Sequence, residues 1–210
     1  MAVALTFYTN PMSRGRIARW MLEELGQAYE TVGLEYGGSM KAPAYLAINP
    51  MGKVPAITHG DVVVTECAAI CAYLADAFPE SGLAPPPGAP ERGAYYRWLF
   101  FAAGPLEQAS TNAALGFAVP DERKAMAGYG SLADTVDALE RAVAGKSFIA
   151  GDRFSAADVY VGAQIGWGLQ FGWLEPRPAF AAYAAGLTSR PAFARAKALD
   201  DALIPAAAPP

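Results

Sequence analysis

The spacing of hydrophobic and polar residues divides the chain into a first part with alternating strands and helices and a longer helical part. Residues 3–8 form a short apolar run that predicts a buried strand, and the helical stripe that follows Ser13 ends at Gly26. Residues 29–36 predict a second strand, and two β-branched runs on either side of 59–61 predict a hairpin. The predicted order is strand, helix, strand, irregular segment, hairpin and helix.

A last helical pattern closes this first part, which predicts a small α/β domain over 1–78. Five prolines follow within residues 79–90, and they predict an extended linker. Residues 91–210 contain several helical stretches and few strand-like runs, so we expect an all-α domain there. Within it, Ser155 and Asp158 have the spacing of a capping box at a helix N-terminus.

The composition excludes several classes of protein. Hydrophobic residues make up 53% and charged residues 17%, which is typical of a globular chain. The net charge of −4 gives no sign of the basic surface that binds nucleic acid or an anionic membrane. The N-terminus lacks the basic segment of a signal peptide, and no apolar run approaches the ~20 residues of a membrane helix. One histidine and two cysteines do not supply the ligands of a metal site.

Glu66 and Cys67 lie where a β-branched run changes into a helix. A helix N-terminus carries partial positive charge and unpaired N–H groups, which stabilise anions and lower the pKa of a thiol. Cys67 is therefore a candidate nucleophile, but it has no CxxC partner, and Cys71 lies one helical turn away, where a disulfide is geometrically poor. The same spacing favours a reducing cytoplasm. The alternative is that Glu66 and Cys67 hold the charged end of a ligand.

Two stretches, NPMGKVPAI over 49–57 and TECAAICAYLAD over 65–76, resemble the cytosolic glutathione S-transferases of bacterial type with a serine-class-like first loop. Together with the element order, the linker and FSAADVYVG over 154–162, the resemblance extends over essentially the whole chain. It implies a thioredoxin-like glutathione-binding domain followed by an all-α domain that contributes the electrophile pocket. The implied reaction, in detoxification, is attack of the bound glutathione thiolate on a small hydrophobic electrophile.

The resemblance also implies a binding site for glutathione, the co-substrate. In the family, the proline at the position of Pro55 is cis, and the residue before it, here Val54, pairs its N–H and C=O with the cysteinyl part of glutathione, as an added strand would. Glu66 would meet the ammonium group of the γ-glutamyl end. Cys67 replaces the usual serine, and because a thiol is a weak donor its backbone N–H would carry most of that contact.

Two lysines lie along the same path. Lys41 falls where related classes place a basic residue against the glycyl carboxylate, and Lys53 falls where many have a glutamine that contacts the peptide backbone. Both have the alternative of being solvated surface residues. A protein of net charge −4 needs local positive charge to bind an anionic tripeptide.

The group that activates the glutathione thiol is expected on the loop after the first strand. Ser13 is the first candidate, since it precedes Gly26 by thirteen residues, as in the serine-using classes of the family. A serine is also a preferred N-cap residue, and the two roles are compatible. The other candidates are Asn10, Tyr8, a backbone N–H and the positions of Met12 and Arg14.

Two other functions remain open from the residues alone. One is a non-catalytic glutathione-binding or scaffold protein on the same fold, and the other is a thiol oxidoreductase that uses Cys67. A dinucleotide enzyme is excluded because no GxGxxG lies between a strand and a helix. The family implies a homodimer, and we expect no nucleic-acid or membrane partner.

Overall fold

The structure, a computed structural model, describes residues 3–204. The outermost residues of the predicted domains, 1–2 and 205–210, lie outside the described residues. Within the described range, no helix combines the length and the apolar character that crossing a membrane requires.

The chain divides into two compact units. The first unit comprises the N-terminal segment up to Ser81 together with the segment that starts at Arg190, and the second unit is Gly82–Ser189. The last helix is thus grouped with the first domain in space although it is distant from it in sequence. The predicted domain boundaries at residues 78 and 90 stay a prediction.

The secondary structure follows the predicted order. The strands are β1 Leu5–Thr9, β2 Glu30–Gly33, β3 Ala56–His59 and β4 Val62–Thr65. The helices are α1 Gly15–Leu25, α2 Pro43–Leu46, α3 Cys67–Ala77, α4 Glu91–Phe101, α5 Glu107–Ala114, α6 Leu132–Val143, α7 Ala156–Phe171, α8 Pro178–Thr188 and α9 Pro191–Asp201. Short 3₁₀ turns lie at Ser39–Lys41, Pro79–Ser81 and Asp121–Met126, and a π-helical turn joins α4 and α5 at Ala102–Leu106.

The first unit is built on a sheet with the strand order β2-β1-β3-β4. β1 and β2 are parallel, while β3 is antiparallel to both β1 and β4. Side chains alternate between the two faces of β1: Phe7 is fully buried under Arg19 of α1, whereas Tyr8 packs on Tyr45. The helix α1 ends at Gly26 in a left-handed conformation, as predicted.

The last helix, α9, is held on α1 by buried charge. Arg19 Nε lies 2.7 Å from Asp200 Oδ1, and both side chains are almost completely buried. Burial raises the pKa of Asp200, and the hydrogen bond from Arg19 opposes that shift. The guanidinium also donates to Tyr29 Oη and Thr31 Oγ1, so α9 is joined through Arg19 to the edge of the sheet.

In the second unit, the predicted capping box is present at the start of α7. The Ser155 side chain and the Asp158 carboxylate satisfy each other's backbone N–H groups. Asp158 is fully buried and also accepts from Ile149 N–H at 2.7 Å and Tyr183 Oη at 2.6 Å. These contacts fix α7, the central buried helix of this unit, to its neighbours.

Candidate functional site

The strand register brings the predicted site segments to one end of the sheet. Tyr8, near the end of β1, pairs with Ala56 at the start of β3, and Ala56 also pairs with Thr65 at the end of β4. Gly33 at the end of β2 pairs with Thr9 in parallel. The segments that leave this end therefore carry the predicted residues, which are Ser13, Lys41, Lys53, Val54, Pro55, Glu66 and Cys67.

The first loop, residues 10–14, is closed by hydrogen bonds of two polar side chains. Asn10 Nδ2 donates to the Leu34 carbonyl at 2.7 Å, and Asn10 Oδ1 accepts from Met12 N–H at 2.9 Å. Ser13 Oγ donates to the Asn10 carbonyl at 2.7 Å and accepts from Gly15 N–H at 2.9 Å. In this conformation the Ser13 hydroxyl accepts from the first N–H of α1, although the N-cap residue is Arg14, and it must rotate away from Asn10 to donate to a ligand.

Gly15 allows α1 to start directly against the end of β1. A Cβ atom at this position would lie 2.0 Å from Oγ1 of the fully buried Thr9 and 3.0 Å from Ser13 Oγ. Sequence reasoning did not single out Gly15. A glycine at the first position of a helix that follows a strand is the pattern that would have indicated this close approach.

The Val54–Pro55 peptide bond is cis. Among the described residues, no backbone hydrogen bond involves the N–H or C=O group of Val54. The preceding carbonyl, of Lys53, accepts from Tyr45 Oη at 2.5 Å and Asn49 Nδ2 at 2.8 Å. The chain is therefore fixed on one side of Val54 and leaves the Val54 amide groups open to another strand-like segment.

Tyr45 and Asn49, which sequence reasoning missed, are the residues that hold this segment in place. Tyr45 is buried in a cluster with Leu34, Met40 and Ala56, and desolvation raises the pKa of its phenol to about 12. Tyr45 lies in the irregular segment before the hairpin, and its neighbours in sequence gave no indication of its hydrogen-bond partner.

Glu66 is the one residue other than glycine that has a positive φ among the described residues, at 64°. Such a conformation costs about 1–3 kcal/mol and persists only when its surroundings enforce it. The exposed Glu66 is the N-cap residue of α3, and its carbonyl accepts from Ile70 N–H at 2.9 Å. The acidic Glu66 thus directly precedes the N-terminus of α3, where the helix dipole carries partial positive charge.

Cys67 begins α3 and is buried, with 8% of its surface exposed. Its Sγ lies 3.5 Å from the backbone carbonyl oxygen of Arg14 and donates to it. The start of α3 therefore contacts the first loop directly. Cys71 is fully buried in the next turn, and both cysteines are thiols outside any disulfide.

The two lysines differ in their surroundings. Lys41 Nζ donates to the carbonyls of Met51 at 3.0 Å and Gly52 at 2.8 Å, which places its ammonium group beside the turn before Val54. Lys53 is exposed in the same turn. Both lysines thus lie at the turn that precedes Val54.

Over residues 3–204, no group of three or more His, Cys, Asp or Glu side chains is placed to hold a metal ion.

A cleft of about 250 Å³ lies in the second unit, between the 82–86 segment and the 150–155 segment, and it contains none of the predicted site residues. The aromatic residues of that unit are divided: Tyr95 and Trp98 are buried, whereas Phe100 and Phe171 are largely exposed.

Solved structures of similar proteins decide the family. The chain is 32% identical to a sphingomonad glutathione S-transferase complexed with glutathione, over 93% of this chain and 98% of that one, with a TM-score of 0.75. It is 30% identical to a glutathione transferase of Methylococcus capsulatus strain Bath, over 95% and 100% of the two chains, with a TM-score of 0.78. The chain belongs to the glutathione S-transferase family.

Two further comparisons agree with membership of the glutathione S-transferases. The family model "Glutathione S-transferase, N-terminal domain" matches residues 7–82. A probable glutathione S-transferase GSTF2 of Oryza sativa subsp. japonica is 49% identical over 55 residues, and the matched segment spans 26% of this chain and 26% of that protein. The predicted fold class, a thioredoxin-like N-terminal domain with an all-helical C-terminal domain, is confirmed.

Proposed function

We propose that this chain is a glutathione transferase that catalyses attack of the bound glutathione thiolate on a small hydrophobic electrophile. The observation that carries the proposal is the convergence, at one end of the sheet, of the first loop, the open Val54 amide and the strained Glu66 at the start of α3. In the reaction, the glutathione sulfur forms a bond to an electrophilic carbon. In a substitution, the leaving group departs with the electron pair of its bond to that carbon. In an addition, a bond within the electrophile breaks, and its electron pair moves to the neighbouring atom, which takes up a proton.

The backbone and charges of this site match an extended, zwitterionic tripeptide. The Val54 N–H and C=O groups would pair with the cysteinyl residue next to Pro55, as one strand pairs with another. The Glu66 carboxylate would meet the ammonium group, and the Cys67 N–H at the α3 terminus would bind the neighbouring carboxylate. Lys41 would attract the glycyl carboxylate, and Lys53 would contact the peptide backbone of glutathione.

Ser13 is the residue we propose as donor to the thiolate. The free thiol of glutathione has a pKa of about 8.5, so it must be stabilised as a thiolate to react near neutral pH. The Ser13 hydroxyl lies in the loop that contacts the start of α3 through Arg14 and Cys67. The competing donors are Asn10, whose side-chain amide is already bound at both ends, a backbone N–H and Arg14.

Titration calorimetry with glutathione, followed by turnover of a panel of electrophiles, tests the proposal. Glu66→Gln removes the charge that faces the ammonium group but keeps the shape of an exposed side chain. We expect it to weaken glutathione binding about tenfold and to change the free energy of unfolding by less than about 0.5 kcal/mol. Asp61→Asn, an exposed change at the β3–β4 turn on the opposite end of the hairpin, is the control because it removes a carboxylate charge away from the site. Equal affinity in wild type and Glu66→Gln would contradict the assigned site.

A non-catalytic glutathione-binding protein is the second candidate. One observation favours it: the Ser13 hydroxyl donates to the Asn10 carbonyl at 2.7 Å rather than away from the loop. This candidate predicts that glutathione binds with its thiol pKa unchanged and that no electrophile in the panel is turned over.

We also propose that the chain forms a homodimer in a reducing cytoplasm. Exposed apolar side chains occur on both units, with Val62 and Val63 on β4 and Phe100 on α4. Both cysteines are buried thiols that form no disulfide, which suits a reducing compartment. Light scattering tests this proposal by measuring the molar mass of the protein in solution. Val63→Lys places a charge on the exposed face of β4 and should shift that molar mass from a dimer toward a monomer.

A further inference from the structure

One side chain joins the first loop to the C-terminal helix α9. Arg16 Nε donates to the Pro11 carbonyl oxygen at 2.6 Å, and Arg16 Nη2 lies 2.8 Å from Asp201 Oδ1. The second oxygen of Asp201 accepts from Lys197 Nζ at 2.5 Å. The N–H donors of a guanidinium point in fixed directions in one plane. The contact of Nη2 with the Asp201 carboxylate therefore sets the direction in which Arg16 Nε donates to the Pro11 carbonyl.

The helix that carries Asp201 is itself fixed on α1. The neighbouring Asp200 forms the buried ion pair with Arg19. At the other end of α9, the Arg190 guanidinium makes two hydrogen bonds to Glu24, at 2.6 and 2.7 Å. Buried or two-pronged contacts of this kind restrict motion far more than exposed single ones. Asp201 is therefore presented to Arg16 from a rigid support.

Arg16 binds the middle of the loop, between residues that other contacts hold. Asn10 is bound to the Leu34 carbonyl, and the Met12 carbonyl accepts from Tyr36 Oη at 3.2 Å. Pro11 lies between them and has no N–H to donate. Among the described residues, its carbonyl is bound by Arg16, two positions before Ser13.

We propose that Arg16 and Asp201 are positioning residues for thiol activation: Asp201 orients the Arg16 guanidinium, which holds the Pro11 carbonyl and thereby sets the placement of Ser13. This inference rests on the proposed function. Both residues act through the loop and not by contact with glutathione. The hydrogen bond from Lys197 and the charge of Arg16 lower the pKa of Asp201, so this carboxylate stays charged across the neutral range.

The test compares Arg16→Met, Asp201→Ala and Asp201→Glu with the matched control Arg195→Gln. Arg195 also joins α9 to α1, through Glu23 at 3.0 Å, but does not contact the loop. The measurements are the pKa of enzyme-bound glutathione, from the ultraviolet absorbance of the thiolate, and separate kcat and KM values for glutathione across pH.

We expect Arg16→Met to raise the pKa of bound glutathione by about one unit and to lower kcat about tenfold at pH ~6.5, with KM for glutathione within about twofold. The loss of kcat should shrink as pH rises above the thiol pKa. Asp201→Ala should shift the pKa in the same direction by a smaller amount, and Asp201→Glu should restore it. Arg195→Gln should leave the pKa and kcat as in wild type.

Two results would overturn the inference, and they are distinguishable from failure of the proposed function. An unchanged pKa of bound glutathione in both Arg16→Met and Asp201→Ala would remove the positioning role. An equal shift in Arg195→Gln would show a general loss of α9 packing instead. If wild type itself binds glutathione without lowering its thiol pKa, the proposed function fails first, and the inference with it.

Discussion

The Sγ atom of Cys67 lies 3.5 Å from the carbonyl oxygen of Arg14, so the first residue of α3 donates its thiol proton into the loop that follows β1. This contact joins two segments that are more than fifty residues apart in sequence. It also directs the sulfur toward the backbone of the protein. The thiol that looked like a nucleophile at a helix N-terminus therefore has a structural partner.

We predict that Cys67→Ser retains turnover and lowers KM for glutathione by up to a few-fold, because a hydroxyl is a stronger hydrogen-bond donor than a thiol. Steady-state kinetics with varied glutathione measure this. Complete loss of activity would instead identify Cys67 as the nucleophile of an oxidoreductase. Cys71→Ser is the control: its fully buried site should cost about 1–3 kcal/mol of stability and leave KM unchanged.

For Ser13→Ala, we predict a rise of at least one unit in the pKa of bound glutathione and a fall in kcat of about tenfold to a hundredfold, the value of a hydrogen bond to a charged group. Stability should fall by about 1 kcal/mol, since Gly15 N–H loses its acceptor. Ser13→Thr, which keeps the hydroxyl, should behave nearly as wild type. A thiolate titration that Ser13→Ala does not move would assign the role to Asn10, Arg14 or a backbone N–H.

The contact between α1 and β1 should make Gly15→Ala strongly destabilising, by about 3 kcal/mol or more, because its Cβ would overlap the buried Thr9 hydroxyl. Gly93→Ala is the matched change, in a helix where an added Cβ has no neighbour within 4 Å. It should stabilise by about 0.5–1 kcal/mol. Urea unfolding of the two variants measures both effects, and equal free energies of unfolding would contradict the packing described here.

The Tyr45 phenol should make stability fall at alkaline pH. Burial raises its pKa in the folded protein to about 12, whereas the unfolded chain titrates near 10, so between these values the unfolded state releases a proton that the folded state keeps. Stability is therefore lost as pH rises through this window. Wild type should exceed Tyr45→Phe by about 1 kcal/mol at neutral pH, the value of the lost hydrogen bond. Near pH ~11 that advantage should vanish, because one pKa unit corresponds to about 1.4 kcal/mol.

The Tyr45 measurement compares the two proteins at each pH, which cancels the titration of other groups. Tyr29, whose pKa burial also raises to about 12, stays in both proteins and contributes equally. If the difference in free energy of unfolding between wild type and Tyr45→Phe stays constant from neutral to alkaline pH, folding does not raise the pKa of the Tyr45 phenol.

Much of this fold was predictable because its signals are local. The apolar strand 3–8, the glycine that ends α1 and the capping box of Ser155 and Asp158 each depend on neighbours within a few residues. The sequence also identified Val54, Pro55, Glu66 and Cys67 as one candidate site, since their stretches carry the family pattern. Their roles toward glutathione stay predictions.

Tertiary structure alone decided the contacts between distant segments. Nothing near Lys53 in sequence indicates that Tyr45 holds its carbonyl, and nothing near Arg16 indicates Asp201, which the chain places 185 residues away. Such contacts depend on strand register and on the docking of α9 against α1, where small geometric differences choose among many polar partners. The sequence determined which residues make up the candidate site. Packing decided which of their polar groups are hydrogen-bonded within the protein and which remain available to a ligand.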